Sequence, residues 1–592
     1  MNYSHLLYKR GYLFSKVKVE PPVSTWTKKT IGDYFISFDP ENPWAFLQEG
    51  NDWVAFLGRA IDTLHWSMDI HAIVRQCLDQ LSYSKERMLD YIDHLSGRFI
   101  LIYHHGNKTK FMTDAFGTRS TFYFLQGSVM IASHCRIISD YLNSSESEQM
   151  AAIKCDSRWY IPWAHAHPGI LTPYERIHIL TPNTQINIEE RKIQRFYPRR
   201  ELPEGNLDEV VEEASILLKR QLELLHREYK LALSLSSGND SRAKLAAARD
   251  IAREVLFFTY GDPVDRDSLV NEALRRGDKE LAKRIDQIHE SRRKQVETDL
   301  MVASEIAEVL GLRHICLDDV TAQREDFQEF NKVMDCNTYH YHSRKLALAY
   351  LDKLPCGLLH IRSNISEVAK AYGRMKLIRM GLTEPPFTPE KMAQAWKQMG
   401  DNELVVDAFR EFADVAKFAN ILNYDPCDMF LWEHHEGTWL SYVLLESDVA
   451  FDTFDIFNCR ALMEKALSVP VGYRMESAIQ YGIIRRLWPI LLLWPINEPP
   501  FRIQLEELRA EHDRLKAELA KEKRTALAVQ KSFSYRLGDM LVQAVASPGR
   551  NTILLPYRLI RLCATRFKKR KSNVATKSPG ARLNKDAGSS SC

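Results

Sequence analysis

Between residues 30 and 200 short apolar runs alternate with turn-forming residues. The stretch "SGRFILIYHHGNKTKFMTDAFGTRSTFYFLQGSVMIAS" (96–133) breaks at HGNKTK, DAFGTRS and QGS, a pattern that predicts an antiparallel meander. "LTPNTQINIEERKIQRFYP" (180–198) adds two strand-like pieces. After Pro203 the period lengthens. "LDEVVEEASILLKRQLELLHREY" (207–229) puts Val210, Ala214, Leu217, Leu218 and Leu222 on one helical face. "KLALS" (230–234) and "VLFFTY" (255–260) read as buried strands, and "DLMVASEIAEVLGLRHICL" (299–317) as a helix, a glycine stop and a third strand. Strands alternating with helices predict a parallel sheet covered on both faces. A charged, largely helical insertion occupies 261–297, and from residue 326 to about 500 the chain reads as mainly helical.

Beyond residue 500 the pattern changes again. Leu505, Leu508, Leu515 and Leu519 recur at 3-4 spacing, a short coiled-coil signal over 501–531 that suits self-association. A basic amphipathic segment follows over 532–571, then a Ser/Ala/Lys-rich end over 572–592 that is expected to be disordered. At 592 residues the chain exceeds one core, and no internal repeat is present.

Charge sharpens this division. The net charge is +3, yet the last 37 residues carry +9 and everything before them about −6. That excludes a general nucleic-acid binder and marks a basic tail. The ten cysteines show no CxxC pair and no zinc-like spacing, as in a reducing compartment. The longest apolar run, "LWPILLLWPI" (487–496), has ten residues and two prolines, too short to span a bilayer. With no secretion signal at the amino terminus, the expected location is cytoplasmic.

The candidate chemistry lies in "KLALSLSSGNDSRAKLAAARD" (230–250), a strand running through small polar residues into a helix. Such a turn leaves backbone N–H groups at the positive end of a helix, which suits phosphate. Ser236, Ser237, Gly238, Asn239, Asp240 and Ser241 form the expected cradle. Leu235, Phe258, Thr259 and Tyr260 mark the strand ends where adenine would lie.

The turn resembles the serine-glycine-glycine-x-aspartate-serine pyrophosphate loop of the asparagine synthetase family, which includes β-lactam synthetases and lasso-peptide cyclases. Leu95, Gly97, Phe99, Asp114, Gly117, Arg119 and Tyr123 are similar to that family's glutaminase-domain run, in the same order along the chain. "YERIHILTPNTQINI…RFYP" is similar to the segment that closes that domain. The resemblance covers roughly residues 30 to 500. It implies an α/β chain: an antiparallel Ntn-hydrolase-like αββα domain over 30–203, then a parallel-sheet, PP-loop (adenine nucleotide α-hydrolase-like) synthetase domain over 204–500. Residues 1–29 are read as an extension preceding the first domain strand.

Departures from the family pattern carry weight. Residue 2 is Asn2 where the family has its cysteine nucleophile, and the nearest cysteine is Cys77. An amide cannot attack as a thiolate does, so glutamine hydrolysis is not expected and the first half is read as structural cover. In "LLHIRSNISEVAKAYGRM" (358–375), Glu367 and Tyr372 match family positions, but Ser366 stands where an aspartate helps hold magnesium. The resemblance then leaves Mg2+ to Asp240, with Glu367 as a second ligand. Asn497 falls near the family's catalytic lysine, with Arg485 and Arg486 as replacement cations or ordinary surface residues. Asp299 is read as a helix cap or a site residue, and His434 and His435 as packing or substrate contacts.

The resemblance implies an ATP-dependent, AMP-forming ligase. A carboxylate is adenylated with Asp240 and Glu367 in catalytic roles and ATP and Mg2+ as cofactors, and ammonia or an amine then displaces AMP. The other expectation is a scaffold that keeps the fold without catalysis. "SYRLG" and "LLPYRLIRL" resemble segments appended to bacterial glycosyltransferases of surface polysaccharides, which would make the carboxylate part of a small molecule or glycan. The basic tail could rest on the inner face of an anionic membrane or serve only solubility.

Overall fold

In the computed structural model the described residues are 3–160, 166–261, 266–317, 325–339, 343–546 and 549–575. They divide into two compact units, Met1–Pro500 and Phe501–Cys592. Asn2 and residues 576–592 of the expected disordered end lie outside the described residues.

The first half of the larger unit is antiparallel. Its strands are β1 (Tyr12–Ser15), β2 (Thr27–Ile31), β3 (Tyr34–Phe38), β4 (Trp44–Glu49), β5 (Asp52–Asp62), β6 (Leu95–His105), β7 (Lys108–Thr113), β8 (Phe122–Phe124), β9 (Met130–Ala132), β10 (His178–Ile179), β11 (Thr184–Asn187) and β12 (Lys192–Arg195). They form two six-stranded sheets, ordered β10-β8-β9-β1-β3-β2 and β12-β11-β7-β6-β5-β4. The sheets bury a shared core that includes Tyr12, Phe14, Ile36, Ile100, Ile102, Phe111 and Ile131. On β6 the alternate residues Phe99, Leu101 and Tyr103 join the core that contains Ile73, Val74 and Leu78 of the helix Ile70–Tyr83. Both faces of β6 are therefore buried, which is why "FILIY" shows no polar alternation. The β6–β7 turn is Gly106-Asn107, both at positive φ (55° and 59°), as a tight hairpin requires.

Two expectations are corrected here. The predicted meander is split, since β6 pairs with β7 in one sheet and β8 with β9 in the other. The supposed extension 1–29 contains β1, which lies between β9 and β3 inside the sheet. All four β1 residues are buried, so a short run with no alternation gave no strand signal.

The second half is built on a parallel sheet of β13 (Lys230–Ser234), β14 (Leu256–Tyr260), β15 (Arg313–Leu317), β16 (Leu358–Arg362) and β17 (Asp452–Asp455). The order is β15-β14-β13-β16-β17, with every neighbouring pair parallel. The amphipathic period at 207–229 becomes the helix Leu207–Glu228, and Gly311 (φ 65°) ends the helix before β15 as expected. The charged insertion is a pair of packed helices, Arg266–Arg275 and Lys279–Leu310, joined through Ala273, Leu281, Ala282 and Ile285. Its second helix runs on unbroken to Leu310, so residue 297 is no boundary.

Buried polar contacts bind the halves. Arg98 forks onto Asp448, and its second nitrogen bond is 2.8 Å. Arg195 forks onto Glu433 at 2.6 and 2.7 Å, and Arg460 reaches Asp93 at 3.0 Å. The smaller unit consists of the helices Phe501–Gln530, Phe533–Ala546, Arg550–Ile553 and Leu555–Ala575. Among the described residues no helix is long and apolar enough to cross a membrane.

Candidate functional site

The crossover from β13 goes to β14 on one side, whereas β16 lies on the other, so the carboxyl ends of β13 and β16 form the sheet's switch point. Open parallel sheets bind ligands there. A cavity of about 510 Å³ opens at this place, within the usual range for small-molecule sites. Leu235, Ser236, Asp240, Ser241, Thr259, Tyr260 and Glu367 of the expected set line it. Ser237, Gly238, Asn239 and Phe258 do not, and the Phe258 ring packs against Tyr350 and His360 in the core.

The turn itself differs from the expected cradle. The Ser236 amide donates to Ser241 Oγ at 3.1 Å, the Ser237 amide to Asp299 Oδ1 at 2.8 Å and the Gly238 amide to Ser236 Oγ at 3.3 Å. The hydroxyls of Ser236 and Ser241 bond each other at 2.9 Å. The amides of Ser236, Ser237 and Gly238 thus brace the turn and are not offered to a ligand. The helix Asn239–Ala247 starts at Gly238, and its first internal acceptor serves Arg242 N at 3.3 Å. Its opening amides, Asn239, Asp240 and Ser241, have no acceptor within the helix, and they make up the part of the cradle that can meet an anion.

Asp299 is no cap. It lies twenty residues into the helix Lys279–Leu310, where its carboxylate accepts from the Ser237 amide, from the Ser237 hydroxyl and from Gln295 Nε2 at 3.2 Å. Burial raises its carboxyl above the ordinary range. The same helix brings Ser291, Arg292 and Gln295 to the cavity wall, residues the charge pattern of the insertion did not single out.

The surroundings of Asp240 decide the metal question. Its Oδ1 accepts the Ser366 hydroxyl and its Oδ2 the Lys370 ammonium, which also lies 3.4 Å from Asn239 Oδ1. Magnesium takes oxygen ligands in near-octahedral array, and an ammonium on the same carboxylate opposes a dication there. Here both oxygens are met by protein donors, one of them a cation. Burial pushes the Glu367 carboxyl up to about 7, so about half of it is ionised at neutral pH. Among the described residues no cluster of three metal-ligating side chains exists. Asp240 and Glu367 as arranged do not fit Mg2+.

Further charges lie behind the cavity. Lys244 donates to Ser234 Oγ at 3.0 Å and to the Ile361 carbonyl at 2.9 Å, and burial lowers its ammonium to about 7. Glu436 is completely buried, with neither carboxyl oxygen hydrogen-bonded. Burial first, then the charges of Glu367 and Asp455, raise its pKa well above the ordinary range. It belongs to the wide-turn helix Leu431–Leu440, a form concentrated at functional sites. His434 in that helix stacks on Phe430 and is lowered to about 3 by burial; it is a packing residue. His435 stacks on Trp439 and is likewise lowered.

Asn497 does reach the turn, its amide donating to the Ser237 carbonyl at 3.3 Å. Arg242 holds that segment by donating to the carbonyls of Leu491, Trp494 and Pro495. Arg485 and Arg486 are exposed and outside the cavity lining, and Arg486 pairs with Glu212. In the antiparallel half, Asp114 accepts from the amides of Thr118 and Arg119 at 2.9 and 2.8 Å and from Asn458 Nδ2 at 2.9 Å. The Gly97 amide donates to the Asn458 carbonyl at 3.1 Å, and a Cβ at Gly97 would lie 2.3 Å from the Arg59 carbonyl. These residues join the two halves. Cys77 and Cys135 are buried, and burial raises both thiols.

No family model matches the chain, and no curated protein matches it. A solved structure of the allosteric regulatory enzyme of purine biosynthesis aligns at 11% identity over 40% of this chain, with a TM-score of 0.20. The alignment spans 57% of that chain. Glutamine phosphoribosylpyrophosphate (PRPP) amidotransferase from B. subtilis complexed with ADP and GMP aligns at 9% identity over 65% of this chain and 76% of its own, with a TM-score of 0.19. Superpositions this loose establish no common fold, and the site stands on its own geometry.

Proposed function

We propose that the chain is an ATP-dependent, AMP-forming amide ligase of the asparagine-synthetase type, with the nucleotide in the cavity at the end of β13 and β16. The observation that carries this reading is the juxtaposition of a helix N-terminus, an adjacent lysine and a cavity of about 510 Å³ at the switch point of a parallel sheet. A substrate carboxylate oxygen attacks the α-phosphorus of ATP, forming an acyl-adenylate while the bond to the β-phosphate oxygen breaks and pyrophosphate leaves. The amides of Asn239 to Ser241 and the Lys370 ammonium stabilise the charge that collects on pyrophosphate. An amine then attacks the acyl carbon and AMP departs. Glu367 lines the cavity with its carboxyl near 7, suited to take the proton that the amine loses. Asn2 stands where the family has its cysteine nucleophile, and the thiols of Cys77 and Cys135 are buried, which favours ammonia or a substrate amine as the nitrogen source.

ATP–pyrophosphate exchange with a panel of carboxylic acids, sugar acids included, tests the reading. Exchange that Lys370→Met abolishes is the expected result. A second reading has its own support: the internal bonding of Ser236, Ser237 and Gly238, together with the two donors on Asp240, favours a nucleotide-binding scaffold without turnover. That reading predicts a thermal shift with ATP and no exchange with any acid.

A further inference from the structure

We propose that Lys370 holds the place a divalent metal would take, so that this site binds the phosphate chain of a nucleoside triphosphate, or pyrophosphate itself, without Mg2+. The inference rests on the nucleotide reading of the cavity. Ser366 and Lys370 are four residues apart around a single helical turn, Ser366–Ala369, and both side chains reach Asp240. One hydroxyl and one ammonium thus occupy both oxygens of the carboxylate that a metal would need, one donor on each. The Lys370 side chain is only 11% exposed, so its ammonium is held in place before any ligand arrives. Two of its protons point to Asp240 and Asn239, both at the head of the helix Asn239–Ala247. The ammonium carries three donors, which leaves one for a phosphate oxygen. Beside it the amides of Asn239, Asp240 and Ser241 supply the directed donors, while the lysine acts as a point charge. A magnesium ion at Asp240 would have to displace this ammonium and then sit next to it. The arrangement replaces a carboxylate pair bridged by a dication with a carboxylate neutralised by a monocation, and the ligand's negative charge is met by the helix end.

The test is calorimetric titration of the full chain with ATP and with pyrophosphate, once with excess EDTA and once with Mg2+. The expected result is binding in EDTA within about threefold of the affinity in Mg2+. Lys370→Met should weaken binding in EDTA by about tenfold or more, and Mg2+ should restore part of it, because Asp240 then offers a bare oxygen. Lys370→Arg should keep metal-free binding. Wild-type binding that appears only with Mg2+ overturns the inference and leaves the ligase reading standing. Unchanged binding by Lys370→Met in EDTA overturns it too. Absence of binding under both conditions removes the nucleotide reading itself. The wild-type comparison needs no variant, so a misfolded Lys370→Met does not spoil it.

The helix Phe501–Gln530 carries its own pattern. Leu505, Leu508, Leu515 and Leu519 are each about half exposed, at 49, 62, 53 and 52%. With Leu505 at a and Leu508 at d, the e positions are Arg509, Lys516 and Lys523, and Glu511 and Glu518 fall at g. In a parallel, in-register pair Glu511 faces the partner's Lys516 and Glu518 the partner's Lys523. An antiparallel pair would set Glu against Glu and Lys against Lys. We infer that this face is covered by a second copy of the chain in a parallel two-stranded coiled coil. Light scattering should give twice the chain mass, and Leu515→Glu should return the monomer. Glu511→Lys with Glu518→Lys should weaken the dimer, and adding Lys516→Glu with Lys523→Glu should restore it. A wild-type monomer, a dimer that survives Leu515→Glu, or failure of the fourfold swap to restore it would overturn the inference.

Discussion

Asp299→Ala probes the brace that shapes the phosphate turn. The Asp299 carboxylate is the acceptor for both the amide and the hydroxyl of Ser237, a residue with no exposed surface. Removing it strands a buried amide donor, at about 1–3 kcal/mol, and forfeits a charge-assisted bond of similar size. The Ser237 hydroxyl can turn to Gln295, whose Nε2 lies 3.1 Å away on Ser237 Oγ, only if that amide reorients. Relief of a buried carboxyl, which burial already raises, returns part of the loss. The net expectation is local loosening by ~2–3 kcal/mol, which lowers amide protection in the turn by about two decades. Asp299→Asn keeps an acceptor oxygen and should lose no more than about one decade. Hydrogen exchange of peptides covering residues 230–242 reads this directly, with peptides from β6 as an internal control. Unchanged protection of the turn in Asp299→Ala would refute the claim that this carboxylate holds it.

Three further outcomes follow from the packing. Arg98→Met leaves Asp448 buried without its fork partner and should cost ~3–5 kcal/mol, whereas Arg98→Met with Asp448→Leu should recover much of it; a single variant as stable as wild type in urea would refute the interface reading. Glu436 holds its proton to higher pH in the folded chain than in the unfolded one, where a carboxyl ionises above about 4.3, so over that range the unfolded state holds fewer protons and stability falls as pH rises. Glu436→Gln should therefore gain melting temperature over wild type on going from about pH 5 to 8, and a constant difference would count against a buried neutral carboxyl. Gly437→Ala places a Cβ 2.3 Å from Pro182 Cδ and should cost ~1–3 kcal/mol in the same urea assay, with no cost contradicting the close approach of the two halves there.

The elements with a strong local period were legible in the sequence. The helix Leu207–Glu228 has its apolar stripe, β13 and β14 each contain three consecutive apolar residues, and Gly311 marks its helix end. β1 was not legible, because four residues buried on both faces carry no alternation. The turn at 236–241 was placed correctly at a strand's carboxyl end. Its hydrogen bonding was not readable, because Asp299 lies 62 residues away on a helix that the charged insertion made look separate. Lys370 stands in plain view in "SEVAKAYGRM", but its meaning comes from a partner 130 residues earlier. Glu436 likewise becomes unusual only once tertiary packing buries it beside Glu367 and Asp455.

The most direct measurement is a crystal structure of the full chain grown with a non-hydrolysable ATP analogue in EDTA. The account predicts phosphate oxygens within hydrogen-bond distance of the amides of Asn239 to Ser241 and of the Lys370 ammonium, with the base toward Thr259 and Tyr260. An analogue bound elsewhere, or one whose phosphates avoid the end of that helix, would contradict it.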